Sequence, residues 1–321
     1  TTRLGDCKDV SSLFVALAGK AGLKAQLVLV DTRDNGTRDM VLPSVSFNHC
    51  IVKAMINGKD YYLELTDRNL PFGSHPTNLY QALSLDIPAM GQSGKDVGLK
   101  PLVAENRTLD QVNTTLKVKV DGRNLQFDVQ AQRKGHLTSD WRQGYATTSP
   151  ADLHKDIQQS ISGSYKNPVK LNAVKFIGLD DLGDSVTLDY SYSVKNEVIE
   201  AGSMKMIRIP LLDVVASIDN LSLDNRQFPL EYWRYENTDV YESNITVELQ
   251  PGQKFLEVPE DQSFTFNKSS YQIKYTRVGD ALKVRRYARL DRGNVLPADY
   301  EKFKKFFNDI IEAESKYIVF K

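Results

Sequence analysis

The chain has 321 residues, 41% of them hydrophobic and 26% charged, with 41 Lys+Arg balanced by 41 Asp+Glu. That composition is ordinary for folded globular protein, and the length suits two domains of common size or one large one. A formal net charge of zero removes the electrostatic case for nucleic acid or an anionic membrane surface, and no apolar run approaches the ~20 residues of a membrane span.

Near the start, "LGDCKDVSSLFVALAGKAGLKAQLVLV" spaces Val10, Leu13, Phe14, Leu17 and Ala18 at i, i+3, i+4, i+7 and i+8, which is one face of a helix. Asp6 suits the N-cap, with Asp9 three residues on, and Gly22 suits the stop. A helix so close to Thr1, with no apolar leader before it, is expected of a piece of a longer chain. "AQLVLV" then reads as a buried strand and the polar residues 31–43 as a loop. In "SVSFNHCIVKAMINGKDYYLELTD" two extended runs flank Asn57-Gly58, a two-residue hairpin turn. From 67 to 112 the pattern gives way to Pro, Gly, Asn and Ser, read as closing loops and a linker near "QSGKDVGLKP". The expected domains are therefore 1–105 and 106–321.

The second of these is rich in short strands: "LKVKVDGRNLQFDVQA", "VTLDYSYSV", "MKMIRI", "ITVEL", "FLEV", "SFTFN", "YQIKYTRV" and "LKVRRYARL". Such spacing with turn residues between predicts a mostly antiparallel β-sandwich. Residues 150–162 interrupt it as a helix. At the end, "PADYEKFKKFFNDIIEAESKYI" sets Tyr300, Phe303, Phe307, Ile310 and Ile311 on one helical stripe.

Two cysteines cannot build a disulfide framework, and His49, His75, His136 and His154 lack metal-ligand spacing. No acidic loop of EF-hand type occurs, so neither a metal nor an organic cofactor is expected. Cys7 is the residue to explain. It is placed at the first turn of a helix, where orphan amides and the dipole favour the anion that attacks a carbonyl. A small cysteine packed near a helix end is the ordinary alternative. The hairpin adds to the case. With Asn57-Gly58 as its loop, paired positions sum to 115, so His49 faces Thr66 and Ile51 faces Glu64. Glu64 is then the diagonal neighbour of His49 on one face, within roughly 7–8 Å, where a carboxylate can hold one imidazole nitrogen and leave the other for a thiol. Asp67 and Cys50 fall on the opposite face. His75 is read as a surface polar residue, Trp141 and Trp233 as packing, and Tyr190 with Tyr192 as sheet packing, a carbohydrate-stacking face being the lesser reading.

The segments "GDCKD", "LPSVSFNHCIV" and "YYLELTDRNLPFG" resemble the transglutaminase-like superfamily, whose core is papain-like. The nearest likeness is to bacterial multi-domain members in which that core lies between two β-domains. It is specific over about residues 3–75 and looser beyond. The resemblance implies an α+β fold: a truncated papain/transglutaminase-like core without its N-terminal helices, then a mostly antiparallel β-sandwich with a C-terminal helix. It implies Cys7 as nucleophile, His49 as general base and Glu64 as the orienting acid, where the family has Asp. It further implies action on peptide-like or side-chain amides of a protein or peptide substrate through a thioester, by hydrolysis rather than cross-linking, at a periplasmic or cell-surface location. A catalytically idle scaffold or binding protein is the alternative. The missing helices commonly supply an oxyanion-hole side chain, and one such donor is worth about 10²–10³ in rate.

Overall fold

The computed structural model describes residues 5–35, 47–88, 97–216 and 221–321, so most of the loop expected over 31–43 and half of the linker near 92–101 fall outside the described residues. Contacts divide the chain into two units, one of residues up to 109 with 135–140, the other of residues 110–134 and 141–321.

The first unit begins with α1 (Cys7–Lys20). The Asp6 carboxylate accepts from the amides of Lys8 (2.8 Å) and Asp9 (3.2 Å), and the Asp9 carboxylate accepts from the Asp6 amide (3.0 Å). This reciprocal box satisfies amides that the helix cannot pair itself. The bonds from Asp9 and Lys8 hold the Asp6 carboxyl below its usual range. Gly22, at φ +77°, turns the chain out of the helix. There follow β1 (Lys24–Asp31), β2 (His49–Ile56), β3 (Lys59–Leu63), β4 (Leu83–Asp86) and β5 (Lys100–Pro101), an antiparallel sheet in the order β3-β2-β1-β4-β5. Asn57 and Gly58 both take positive φ, and β2 pairs with β3 from Ile56↔Lys59 to Val52↔Leu63.

Strand alternation gives this sheet two apolar faces. On one, Phe14 and Val15 of α1 pack against Val52, Ala54 and Leu63. On the other, Val28, Val30, Ile51 and Tyr62 meet Leu79, Ala82 and Leu102. The helix does not bury the stripe its leucines mark. Ser11 and Ala18 are buried, whereas Leu13 and Leu17 are 60% and 57% exposed. The Ser11 hydroxyl donates to the Cys50 carbonyl (3.1 Å), so the hydrogen bond offsets the desolvation of a polar residue facing the sheet.

The second unit is built, in chain order, of β6 (Gln111–Asp121), β7 (Asn124–Lys134), α2 (Leu137–Tyr145), α3 (Pro150–Ser162), β8 (Val169–Ile177), β9 (Ser185–Val194), β10 (Ile199–Ala201), β11 (Met204–Arg208), β12 (Leu230–Glu231), β13 (Val240–Glu248), β14 (Phe255–Glu257), β15 (Gln262–Phe266), β16 (Ser269–Val278), β17 (Ala281–Arg289), β18 (Asn294–Val295), α4 (Tyr300–Glu314) and β19 (Tyr317–Phe320), α2 beginning within the first. Eight strands make one sheet, β15-β16-β17-β13-β6-β7-β9-β8, antiparallel except where β13 runs parallel to β6. Four more form β10-β11-β19-β14. Helix α4 buries Tyr300, Phe303, Phe306, Phe307, Ile310 and Ala313.

The expected α+β fold is overturned. Among the described residues nineteen strands against four α-helices make the chain mostly β, and no papain-like α+β core is present there. In the first unit one helix covers one sheet face, and loop-borne Leu79, Ala82 and Leu102 cover the other. In the second, the parallel β6–β13 pair joins into a single sheet strands that the sequence reading divides between two. Strands β4 and β5, of four and two residues, are too short for periodicity to reveal.

Arg292 ties the second unit together. Almost fully buried, it donates to Asp110 Oδ2 (3.0 Å) and the Asn237 carbonyl (2.7 Å) and pairs with Asp239 Oδ1 (3.2 Å), at the paired starts of β6 and β13. Replacing it leaves two buried carboxylates without their counter-charge. Arg292→Met is expected to lose about 3–5 kcal/mol in urea unfolding, and a loss under about 1 kcal/mol would show the network to be expendable.

Candidate active site

Cys7 is the first residue of α1, and β1 returns beneath that helix. Fourteen helical residues rise about 20 Å, close to the span of β1. The C-terminal end of β1 therefore lies at the Cys7 end of the sheet, and there Val30 pairs with His49. Burial pushes the Cys50 thiol up, opposed by Ser11, with neighbouring Cys7 and Asp6 adding to the rise. The start of α1 and the start of β2 are thus electrostatic neighbours.

His49 Nε2 lies 2.5 Å from Glu64 Oε2. The other carboxylate oxygen, Oε1, accepts from the Thr66 amide (2.7 Å) and the Thr66 hydroxyl (2.5 Å). Glu64 is buried and His49 partly so. Burial alone would raise the Glu64 carboxyl. The hydrogen bonds from His49 and from the Thr66 side chain and amide outweigh it and hold the group below its ordinary value. A carboxylate at that distance requires the proton on Nε2, which leaves the lone pair of a neutral ring at Nδ1. Thr66 went unrecognised in the sequence as part of the site. The available signal was its place two residues after the acid, in "LELT".

Of the three residues singled out from sequence, the structure brings together His49 and Glu64. Among the described residues the Cys7 thiol makes no hydrogen bond to His49; by alternation β2 turns His49 toward the face of Ile51, while α1, which begins at Cys7, packs on the face of Val52 and Ala54. Cys7 is half-buried and Cys50 is buried. Asp67 is committed elsewhere, accepting from the Asn69 amide (2.9 Å) and the Ser139 hydroxyl (2.5 Å). His75 corrects an expectation: it is buried, with Nε2 2.6 Å from the Tyr62 carbonyl, and acts as a brace under β3. No group of three or more His, Cys, Asp or Glu fit to hold a metal occurs among the described residues.

With that geometry in hand, residues 206–320 match a family described as a domain of unknown function with solved structure (DUF3858). The match covers the later part of the second unit and excludes Cys7, His49 and Glu64. The chain is also similar to a crystal structure of a "putative protease" from Parabacteroides distasonis, with a TM-score of 0.52 at 14% identity. That likeness covers 98% of this chain and 44% of that one, so the chain spans less than half of the relative's length. At this identity the likeness is one of fold. None of the curated proteins matches the chain. No helix among the described residues is long and apolar enough to cross a membrane.

The depressed Glu64 carboxyl makes a pH prediction. A group held below its unfolded value contributes stability above that value and loses it as pH falls through the folded one. Wild type is expected to exceed Glu64→Gln by about 1–3 kcal/mol near neutrality, with the gap closing as pH falls below about 4.3. Urea unfolding at both ends of that range measures it, and a gap independent of pH would contradict an ionised Glu64 held by His49 and Thr66.

Proposed function

We propose that the chain carries a transglutaminase-like cysteine site that acts on peptide-like or side-chain amides through a thioester, with water as the acceptor. The observation that carries this reading is the His49–Glu64 hydrogen bond, which orients one imidazole and leaves Nδ1 open at the end of the sheet where α1 begins. The resemblance of the three motif segments and the fold-level likeness to a "putative protease" support it.

In this reading the chemistry runs in two halves. Nδ1 of His49 takes the Cys7 proton, and the thiolate adds to the amide carbonyl. The C–N bond then breaks, the amine leaving with the proton that His49 held. Water attacks the thioester, giving a proton to Nδ1. The C–S bond breaks, and that proton returns to the Cys7 sulfur as the acid departs. Glu64 stays ionised throughout, with Thr66 anchoring the oxygen that His49 does not use. Productive geometry requires the thiol to approach Nδ1 when substrate binds. A bacterial periplasmic or cell-surface setting belongs to the same proposal and rests on the motif resemblance alone.

One observation favours an idle scaffold instead, namely that Cys7 and His49 are not joined by a hydrogen bond among the described residues. Iodoacetamide kinetics on the full chain separate the two. An active site predicts that His49→Ala slows alkylation of Cys7 and lowers peptide-amide hydrolysis by about 10²–10⁴, while Cys7→Ala abolishes hydrolysis and barely changes the unfolding temperature. If Cys7 alkylates at the same rate with and without His49, the scaffold reading stands.

A further inference from the structure

The second unit holds a buried carboxyl that forms no ion pair among the described residues. Glu236 is 7% exposed. Its Oε1 accepts from the Thr238 amide (2.7 Å) and the Tyr241 hydroxyl (3.0 Å), and Oε2 from the same hydroxyl (3.3 Å). Every one of these donors is neutral. The nearby guanidinium of Arg292 is already shared between Asp110 and Asp239, and Glu236 forms no ion pair among the described residues. Burial, opposed by these hydrogen bonds and by Arg292, pushes the Glu236 carboxyl up to about 7. One guanidinium thus serves three carboxyls, in contact with Asp110 and Asp239 and acting on Glu236 only from a distance.

Glu236 lines a cavity of about 190 Å³ whose walls include Leu230, Tyr232, Tyr241, Phe303 and Phe307. The rings are set against one another: Tyr232 lies edge-on to Phe303 with centroids 5.0 Å apart, and Phe303 edge-on to Phe307 at 4.7 Å. A volume of this order has room for a single ring. Aromatic faces attract a cation when it leaves water, and a carboxylate beside them supplies the matching charge. A metal ion is a poor fit, since no group of three or more ligating side chains gathers here among the described residues.

We propose that this cavity binds a primary ammonium bearing one apolar group the size of a single ring, with the ammonium on Glu236 and the apolar group among Leu230, Phe303 and Phe307. The Tyr241 hydroxyl holds the carboxylate in place. The site lies within residues 206–320, whose matching family has no assigned function, and it is independent of Cys7 and His49.

Calorimetric titration of the full chain with benzylamine tests the proposal, with benzyl alcohol as the neutral isostere, both at pH 8, on the alkaline side of the value of about 7 to which Glu236 is raised. Benzylamine is expected to bind saturably and at least about tenfold more tightly than benzyl alcohol, because only the amine makes a charge-assisted bond. Glu236→Gln is expected to bring the amine down to the level of the alcohol. Equal binding of the two probes by wild type overturns the proposal, as does binding of neither, or a preference that survives in Glu236→Gln. Should that variant fail to fold, the comparison of amine and alcohol on wild type decides the matter alone.

Discussion

Asn57 and Gly58 both sit at positive φ, and this two-residue turn sets the pairing of β2 with β3. A slip of one residue would send every side chain of β3 to the other face. Tyr62 would then leave the cluster of Val28, Val30 and Ile51, and Leu63 would leave the patch beneath α1. The candidate site depends on the same register. Glu64 lies one residue beyond the last β2–β3 pair, on the side of the sheet that His49 faces.

Burial has different consequences for the charged groups of this protein. Glu64 is desolvated, yet it is held ionised because His49 and Thr66 supply more than burial removes. Arg292 meets two carboxylates, and Arg286 donates to Glu314, the Ser243 hydroxyl and the Asp213 carbonyl. Glu314 is nevertheless raised by its own burial, against the pull of Arg286. Glu236 differs from all of these, since its partners are a tyrosine and an amide. A carboxyl of that kind is costly as the anion, and its rise to about 7 lets a proton or a visiting cation relieve it.

Local chemistry was legible. Asp6 with Asp9 makes the capping box that their spacing suggested, and α3 spans the helix read from residues 150–162. The facing of α1 was legible in part. Phe14 of the expected stripe packs on the sheet and Ala18 is buried, but Leu13 and Leu17 stay exposed and Ser11, with its carbonyl partner, is buried in their stead. His75 sits among Pro, Gly and Asn, yet it is buried, since the loop that carries it covers β3. The papain-like core was carried by resemblance in three short segments, and motifs of that length do not determine which elements surround them.

By itself the sequence determined the β2–β3 register, because Asn57-Gly58 permits one tight turn and the side-chain period of a strand is two. It thereby determined that His49 and Glu64 share a side. Only the tertiary structure decided that β6 lies parallel to β13 and that the chain is mostly β. Those outcomes depend on contacts between segments far apart in the chain, where the closing of long loops and the burial of whole faces compete, and no local pattern encodes that balance.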